Sequence, residues 1–261
     1  MLPVMTRDSR QIPQSTTHFG FREVRETDKA GLVREVFDSV AGRYDLMNDL
    51  MSAGVHRLWK STLLDMIDPA PGQILLDAAG GTGDIAFGFI ERAGAAAGVN
   101  VAICDVNPAM VALGRDRALD RGLTEGVAFV VGDAELLPIA DASIDVYTIA
   151  FGLRNVTRPA AALAEARRVL RPGGRFFCLE FSRVVLPVLD RIYDLYSFAV
   201  LPRLGALVAG ERAAYEYLVE SIRRFPAQEE LAGLMSAADF DVVRWRNLSG
   251  GIAAIHSGWR L

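Results

Sequence analysis

The sequence predicts an α/β domain built on a doubly wound, mostly parallel, seven-stranded sheet. Short, continuously apolar segments alternate with segments of helical periodicity, as they do when helices cover both faces of a parallel sheet. A glycine-rich loop joins the first apolar segment to the next helix, which is where open α/β sheets bind ligands. The chain has 261 residues, enough for one such domain with N-terminal helices and helical insertions.

The predicted strands are seven short segments in the second part of the chain. They cover residues 74–76, 101–104, 127–131, 144–150, 176–179, 240–246 and 251–257. Helices are predicted over residues 33–40, 44–49, 55–66, 159–170, 215–222 and 231–238, and two more begin near Asp84 and at Asn107-Pro108. Residues 1–30 are predicted to form a loose, flexible arm, and residues 31–261 a single domain.

The charged, cysteine and histidine residues argue against nucleic-acid binding, disulfides and a metal site. The 28 basic and 32 acidic residues give a formal charge of -4, whereas nucleic-acid-binding domains carry a basic excess. Cys104 and Cys178 lie in apolar strand segments and are predicted to be buried thiols, which together with a missing signal peptide favours a reducing cytoplasm. His18, His56 and His256 lack the spacing of metal ligands, so no metal site is predicted.

Residues 186–210 are the most apolar stretch of the chain. Charged side chains interrupt it at Asp190, Arg191, Asp194 and Arg203. The uninterrupted part is therefore far shorter than the roughly 20 apolar residues of a membrane-spanning helix. We expect this stretch to be an ordinary core helix, to lie against a membrane surface or to line an apolar cavity.

The loop from Asp77 to Asp84 (DAAGGTGD) is the clearest indication of a ligand site. Its glycines allow a ligand to approach the backbone closely. The run Gly81-x-Gly83-x-x-Ala86, followed by Asp105 about twenty residues later, also satisfies a loose dinucleotide fingerprint. A nicotinamide- or flavin-dependent oxidoreductase is therefore an open alternative at this point.

The charges around this loop favour S-adenosylmethionine over a dinucleotide. Neighbouring carboxylates disfavour a pyrophosphate, and Asp77, Asp105 and Asp133 follow three successive strands. S-adenosylmethionine has no phosphate but carries a sulfonium, an ammonium, a ribose diol and an adenine amine. We predict Asp77 near the ammonium, Asp105 at the ribose hydroxyls and Asp133 close to the adenine amine. Gly81 and Ala134 are predicted to let the cofactor pack closely against the chain.

Longer motifs resemble those of one enzyme family. The most specific are residues 36–49 (VFDSVAGRYDLMND) and 151–157 (FGLRNVT), and residues 132–138 (GDAELLP), 169–175 (VLRPGGR) and 179–182 (LEFS) add to them. From residue 33 to its C-terminus, the chain resembles the bacterial and mitochondrial ubiquinone/menaquinone biosynthesis C-methyltransferases. The resemblance implies a class I, Rossmann-like methyltransferase fold. It also implies methylation of a ring carbon of a polyprenylated quinol, either a 2-methoxy-6-polyprenyl-1,4-benzoquinol or a demethylmenaquinol.

The family's cofactor residues carry over to Thr82, Asp105 and the pair Asp133-Ala134, where the family often has Asn in place of Asp133. The family also often has a serine where this chain has Ala150. The missing hydroxyl hydrogen bond is expected to weaken cofactor binding by about 0.5–1.5 kcal/mol. Two interpretations remain open for Tyr44, which belongs either to a helical lid over the cofactor or to the packed core.

The resemblance also assigns the catalytic groups. A quinol carbon is more nucleophilic when its phenol oxygen is ionised, and a free phenol titrates near ~10, so neutral pH requires about 4 kcal/mol of phenolate stabilisation. The guanidinium of Arg154 and the amide of Asn155 are predicted to supply this by pointing at the oxygen. An ordinary surface ion pair is the alternative for Arg154.

The implied partners are a polyprenylated quinol and the periphery of a membrane, without nucleic acid. One helical face, formed by Ile192, Leu195, Tyr196 and Ala199, is predicted to accept the prenyl tail at the inner, cytoplasmic side of the membrane. Contact with other quinone-biosynthesis enzymes and a homodimer are left open. Methylation of an oxygen in another small molecule is a second alternative function. A catalytically silent scaffold is disfavoured, because the acids at the strand ends and Arg154 are present.

Overall fold

A computed structural model of the protein describes residues 15–40, 49, 52, 54–94, 97–185 and 212–261. An N-terminal hairpin consists of β1 (Thr16–Phe19) and β2 (Arg22–Arg25). The main sheet consists of β3 (Ile74–Ala78), β4 (Asn100–Asp105), β5 (Val127–Val131), β6 (Ile144–Ala150), β7 (Leu170–Phe181), β8 (Asp241–Leu248) and β9 (Ala253–Arg260).

In the part of the chain that the structure describes, these seven strands form one sheet in the order β5-β4-β3-β6-β7-β9-β8. Strands β3 to β7 pair in parallel, and β9 runs antiparallel to both β7 and β8. The direction of winding reverses between β3 and β6, so the carboxyl ends of these strands flank the crevice where such sheets bind ligands. The predicted doubly wound, mostly parallel sheet is confirmed.

Helices flank the sheet on both sides. They are α1 (Glu26–Val40), α2 (His56–Ile67), α3 (Asp84–Ala93), α4 (Pro108–Asp120), α5 (Pro159–Val169), α6 (Arg212–Arg224) and α7 (Gln228–Ala237). Helix α4 begins as predicted, because the Asn107 side chain accepts from the backbone N–H groups of Ala109 and Met110 at 2.8 and 3.3 Å. The helix predicted over residues 44–49 lies outside the described residues, apart from Asp49.

The core lies on both faces of the sheet. Leu75 and Leu76 are consecutive residues of β3, and both are completely buried. Leu75 packs in a cluster with Leu63 of α2 and Phe87 of α3. Leu76 belongs to a second cluster on the opposite face, together with Leu163 of α5. Successive strand side chains point to opposite faces, and each fully buried leucine stabilises the fold by about 1.5–3 kcal/mol.

The N-terminal segment differs from the loose arm that was predicted for residues 1–30. From Thr16 onward the chain forms the β1–β2 hairpin, and α1 begins at Glu26 rather than near Val33. Gly20 opens the two-residue hairpin loop with a φ of +60°, as in a type II′ turn. The hairpin is held because Phe19, only 6% exposed, packs in a small cluster with Val33 and Tyr217. Local periodicity could not reveal this contact with a distant helix.

Strand β7 is longer than the strand predicted over residues 176–179. It begins at Leu170, which pairs with Ile144, whereas Arg175 pairs with Val146. The extra residues on the β7 side form a β-bulge. This bulge accommodates the Arg-Pro-Gly-Gly run. Because that run interrupts the apolar pattern, the sequence alone indicated a turn there instead of a strand.

The cysteine prediction is confirmed, since Cys104 and Cys178 are both free and buried. Burial raises the pKa of the Cys104 thiol to about 12, so this thiol is not poised to act as a nucleophile. Among the described residues, no helix combines the length and the apolar character needed to cross a bilayer. The apolar stretch at residues 186–210 lies outside the described residues.

Substitution of Gly83 should destabilise the fold. Gly83 has a φ of +88°, and an added Cβ would lie 2.8 Å from Cδ1 of Ile103 and 2.8 Å from Cζ of Phe87. We expect Gly83→Ala to lower the free energy of unfolding by roughly 2–4 kcal/mol through overpacking and backbone strain. Gly233→Ala in α7, where nothing lies within 4 Å of the added Cβ, should instead add roughly 0.5–1 kcal/mol. Urea unfolding followed by circular dichroism measures both, and equal effects would contradict this account.

Candidate active site

The carboxyl ends of β3, β4, β5 and β6 meet at one edge of the sheet and border a cleft. The main cleft, with an empty volume of about 800 Å³, is partly open to solvent and is lined by Gly81, Asp105, Asp133, Ala134, Phe151 and Asn155. Helix α1 closes one side of it with Val33, Arg34 and Phe37. A smaller side cavity of about 330 Å³ adjoins it and is lined by Asp77, Gly80, Thr82 and Ala150. Both cavities share Ala79 and Phe151.

Asp105 holds the glycine loop in place. The Gly81 N–H donates to Asp105 Oδ2 at 2.9 Å, and the Asn107 N–H donates to Oδ1 at 2.9 Å. Burial raises the pKa of the Asp105 carboxyl, and these two hydrogen bonds oppose that rise. A carboxylate offers about four lone-pair positions, so Asp105 can still accept hydrogen bonds from a ligand. Its position at the edge of the cleft therefore suits the predicted role at the ribose hydroxyls.

Asp77 is a buried acid with an unused oxygen. Its Oδ1 accepts from the Thr148 hydroxyl at 2.7 Å, whereas Oδ2 is buried and has no hydrogen-bond partner among the described residues. Burial raises the pKa of Asp77 to about 7. Because an unsatisfied buried acceptor is costly, the side cavity is suited to a ligand that brings a donor or a positive charge to this oxygen.

Thr82 faces the side cavity rather than the main cleft. It is 2% exposed, and its hydroxyl accepts from Arg117 Nη1 at 2.8 Å. Arg117 also lies 3.6 Å from Asp84, which accepts a 2.6 Å hydrogen bond from Lys60. This chain of polar contacts orders the start of α3 directly after the glycine loop. The predicted contact between Thr82 and a cofactor stays a prediction.

Asp133 and Ala134 both line the main cleft after β5. Asp133 is exposed, and its Oδ1 accepts from the Glu135 N–H at 2.9 Å. Ala134 is 9% exposed and packs in the core beneath the cleft. This pair therefore offers an acceptor beside a flat apolar surface, as an adenine amine and ring require. Tyr44, the remaining predicted cofactor residue, lies outside the described residues.

The structure does not place Arg154 where it was predicted. Its side chain is 4% exposed and forms a buried ion pair with Glu180, whose side chain is 1% exposed, at 3.0 Å. The same Nη1 donates to the carbonyl of Phe151. Burial raises the pKa of Glu180, and the Arg154 charge opposes that rise. Arg154 lines a different cavity, which shares Val156 and Thr157 with the main cleft. The sequence left two alternatives for Arg154, a position facing the acceptor and a surface ion pair. The structure shows neither, because Arg154 forms an ion pair that is buried.

Asn155 does line the main cleft. It belongs to the 3₁₀ turn Leu153–Asn155, directly after β6. Its Oδ1 accepts from the Tyr217 hydroxyl at 3.0 Å, and its Nδ2 lies 3.5 Å from the carbonyl of Phe151. The neighbours Arg154 and Asn155 therefore face different cavities, because the tight turn separates the directions of their side chains.

Several residues that border or support the site were not predicted. Arg34 of α1 donates to the carbonyl of Val106 at 3.3 Å, and Asp38 accepts from Asn107 Nδ2 at 2.7 Å. These contacts tie α1 to the segment after β4. Asp38 belongs to a quoted motif, but α1 was predicted only as a packed helix. No local signal linked Arg34 to the site, because its partner lies 72 positions away in sequence.

Comparison with known proteins identifies the family. A model of the ubiE/COQ5 methyltransferase family matches residues 22–260. The chain belongs to this family. It is 58% identical over 245 residues to the ubiquinone/menaquinone biosynthesis C-methyltransferase UbiE of Paracoccus denitrificans, covering 94% of this chain and 97% of that protein. The UbiE protein of Acidiphilium cryptum is 57% identical over 246 residues, with the same coverage of 94% and 97%.

Solved structures support the fold of this ubiE/COQ5 family member. A SAM-dependent methyltransferase from Thermotoga maritima superposes with a TM-score of 0.60 at 22% identity, covering 88% of this chain and all of that one. A SAM-dependent methyltransferase from Aquifex aeolicus gives a TM-score of 0.56 at 16% identity, covering 77% and 89% of the two chains. The predicted class I, Rossmann-like methyltransferase fold is confirmed by these structures, and the family resemblance of the sequence is confirmed by the family model and the relatives.

S-adenosylmethionine, the predicted cofactor, is confirmed by the methyltransferase family and fold. The described residues also fit it. The main cleft contains the acids Asp105, Asp133 and Glu135 and one base, Arg34, a balance that suits a sulfonium and an ammonium rather than a pyrophosphate. The unpartnered Oδ2 of Asp77 offers an acceptor for a cation. The dinucleotide-dependent oxidoreductase, kept open by the glycine pattern, is not the function of this family.

Binding of S-adenosylhomocysteine should depend on pH through Asp77. With a pKa raised to about 7, Asp77 is largely protonated at pH 5.5, and an ammonium beside it would lower that pKa and release the proton. Affinity should therefore rise between pH 5.5 and 7, by up to about tenfold per pH unit. Calorimetry on wild type and Asp77→Asn measures this, and the variant should bind more weakly and without this slope. The exposed Asp116→Asn is the control; an unchanged slope in Asp77→Asn would contradict the assignment.

Breaking the Arg154–Glu180 ion pair should destabilise the fold. Glu180→Gln leaves the Arg154 guanidinium buried with only neutral partners, and we expect a loss of about 3–5 kcal/mol in the free energy of unfolding. The exposed pair of Arg121 and Glu91, at 2.9 Å, is the matched control, and Glu91→Gln should cost no more than about 1 kcal/mol. Chemical denaturation at neutral pH compares them, and similar losses would show that the buried pair is not a structural element.

Proposed function

We propose that this chain transfers the methyl group of S-adenosylmethionine to a ring carbon of a polyprenylated quinol in ubiquinone or menaquinone biosynthesis. The observation that carries the proposal is membership of the ubiE/COQ5 methyltransferase family over residues 22–260. The relatives named above are C-methyltransferases of this biosynthesis, and the alignments cover almost their whole length. The acceptor is a benzoquinol or a naphthoquinol.

The protein must bind the acceptor and stabilise its ionised oxygen. When bound, S-adenosylmethionine supplies an electrophilic methyl group on a sulfonium. Asn155, which lines the main cleft, presents an amide donor for the phenol oxygen of the acceptor. A hydrogen bond to a charged group contributes about 1.5–3 kcal/mol, which covers a large part of the ~4 kcal/mol required to ionise a phenol at neutral pH. The phenol proton leaves to solvent before the transfer. Afterwards the proton on the methylated ring carbon moves to the phenol oxygen and restores the aromatic quinol, so one proton is released for each methyl group transferred.

The surroundings of Asn155 strengthen this interaction. Phe151 and Val156 line the cleft beside it, and apolar walls exclude water and strengthen hydrogen bonds inside the cleft. Arg154 acts indirectly, because its contacts with Glu180 and with the Phe151 carbonyl hold the 3₁₀ turn that carries Asn155. In this proposal Arg154 is a positioning residue, and Asn155 is the group that touches the acceptor.

The polyprenyl tail requires an apolar path outside the polar part of the cleft. The proposed path is formed by Ile192, Leu195, Tyr196 and Ala199, which the sequence spacing predicts to share one helical face and which lie outside the described residues. Contact of this face with the membrane periphery at the cytoplasmic side is part of the proposal. A homodimer and contact with other enzymes of the pathway stay predictions. Size-exclusion chromatography of the purified protein tests the homodimer, and sedimentation with vesicles tests the membrane contact.

Product analysis tests the proposed function. The purified protein is incubated with labelled methyl donor and with reduced benzoquinol and naphthoquinol precursors, each with a short and a long prenyl tail. Mass spectrometry should locate the new methyl group on a ring carbon of at least one quinol. Methylation of oxygen would support the alternative of an O-methyltransferase, and no transfer to any quinol would refute the proposal.

Removal of the Asn155 amide should lower the rate without removing the cofactor. Asn155→Ala is expected to reduce kcat by about 100-fold or more, as when one preorganised donor is lost from an oxyanion site. Its affinity for S-adenosylhomocysteine should remain within about twofold of wild type. Steady-state kinetics and calorimetry measure the two quantities. Loss of cofactor affinity with an unchanged kcat would place Asn155 in the cofactor site instead.

A further inference from the structure

A buried tyrosine lies behind Asn155 and is not part of any family motif quoted above. Tyr217 of α6 is 5% exposed, and its hydroxyl donates to Asn155 Oδ1 at 3.0 Å. Burial raises the pKa of Tyr217 to about 12, the nearby charge of Arg154 lowers it and that of Glu180 raises it. The hydroxyl is therefore protonated at neutral pH and can act as a hydrogen-bond donor.

This hydrogen bond fixes the orientation of the amide. An asparagine side chain can present either its oxygen or its NH₂ group to a given partner. With the Tyr217 hydroxyl as the donor, the amide oxygen faces Tyr217 and the NH₂ group faces away from it. One N–H lies towards the Phe151 carbonyl, at a long distance of 3.5 Å. The NH₂ group thus keeps donor capacity for a partner in the main cleft, which Asn155 lines.

The N-terminal hairpin holds Tyr217 in place. The Phe19 ring stacks on the Tyr217 ring with a centroid distance of 4.2 Å and an interplanar angle of 18°. One turn further along α6, Glu220 Oε2 accepts from the N–H of Phe21 at 3.0 Å. The hairpin therefore contacts α6 at Tyr217 and at Glu220, through the residues on either side of Gly20. The Tyr217 ring packs directly against the hairpin.

We propose that Tyr217, supported by Phe19, is a positioning residue that orients the Asn155 amide so that its N–H group faces the acceptor. The inference rests on the proposed function, because it assigns the direction of the donor that stabilises the phenolate. It also gives the hairpin a function in catalysis, since two contacts, Phe19 to Tyr217 and Tyr217 to Asn155, connect the hairpin to the amide that faces the phenol oxygen of the acceptor.

A double-mutant cycle tests whether Tyr217 acts through Asn155. Tyr217→Phe keeps the ring and its stacking but removes the donor, and we expect kcat to fall by about tenfold. The KM for the quinol and the affinity for S-adenosylhomocysteine should stay within about twofold. In an Asn155→Ala background, the same Tyr217→Phe change should have no further effect on kcat. Tyr147→Phe is the matched control, because Tyr147 is a buried tyrosine stacked on Phe176 in the core, and it should leave kcat unchanged.

Three kinetic results would overturn the proposal. The first is that Tyr217→Phe lowers kcat equally in the wild-type and Asn155→Ala backgrounds. The second is that Tyr147→Phe lowers kcat as much as Tyr217→Phe does, and the third is that Tyr217→Phe leaves kcat unchanged. Phe19→Leu, which keeps an apolar side chain but removes the stacked ring, should lower kcat by a smaller factor than Tyr217→Phe. That effect should also vanish when Asn155 is replaced by Ala.

A second measurement separates this proposal from the proposed function. In ¹⁵N-labelled protein, the side-chain NH₂ resonances of Asn155 are identified by their loss in Asn155→Ala. They should shift in Tyr217→Phe and stay unchanged in Tyr147→Phe. Unchanged Asn155 resonances in Tyr217→Phe would overturn the orientation, whatever the acceptor is. If no quinol is methylated but the resonances shift, the proposed function fails and the orientation of Asn155 by Tyr217 stands.

Discussion

The two hydrogen bonds that Asp105 accepts hold the candidate active site together. They connect the glycine loop, through Gly81, with the start of α4, through Asn107, at 2.9 Å each. Both elements follow neighbouring parallel strands, so a single carboxylate at the end of β4 can reach them. A ligand that enters the cleft therefore meets a loop that is already ordered, which lowers the entropic cost of binding. The same carboxylate keeps acceptor capacity for a ligand, as its predicted role at the ribose hydroxyls requires.

Burial has opposite consequences for the charged groups of the site. Arg154 and Glu180 offset each other, so their buried charges stabilise a turn rather than attract a ligand. Asp77 is buried beside Thr148 with one oxygen unsatisfied, and burial raises its pKa to about 7 although the Thr148 hydrogen bond and the charge of Lys60 oppose that rise. A buried carboxylate oxygen without a hydrogen-bond partner among the described residues can take up a cationic ligand group, whereas a completed ion pair cannot.

Part of the site could be predicted because its signals are local. The acids Asp77, Asp105 and Asp133 end or follow apolar segments, and the carboxyl ends of parallel strands necessarily meet at one edge of the sheet. The direction of Arg154 could not be predicted in this way. Its motif, FGLRNVT, indicates a functional turn but not which of its side chains faces the cleft. The partner that turns Arg154 away, Glu180, lies 26 positions further along the chain.

Local sequence signals were enough to predict the seven strands of the main sheet, most of the helices, the doubly wound architecture, the glycine loop with its acids and the class of cofactor. All of these follow from periodicity and from residues at strand ends, which depend on near neighbours in the chain. The tertiary structure decided the hairpin at residues 16–25, the burial of Arg154 and the support of Asn155 by Tyr217. These features depend on contacts such as the one between Asn155 and Tyr217, 62 positions apart. Only the packing of α6 and the hairpin against the sheet brings such residues together.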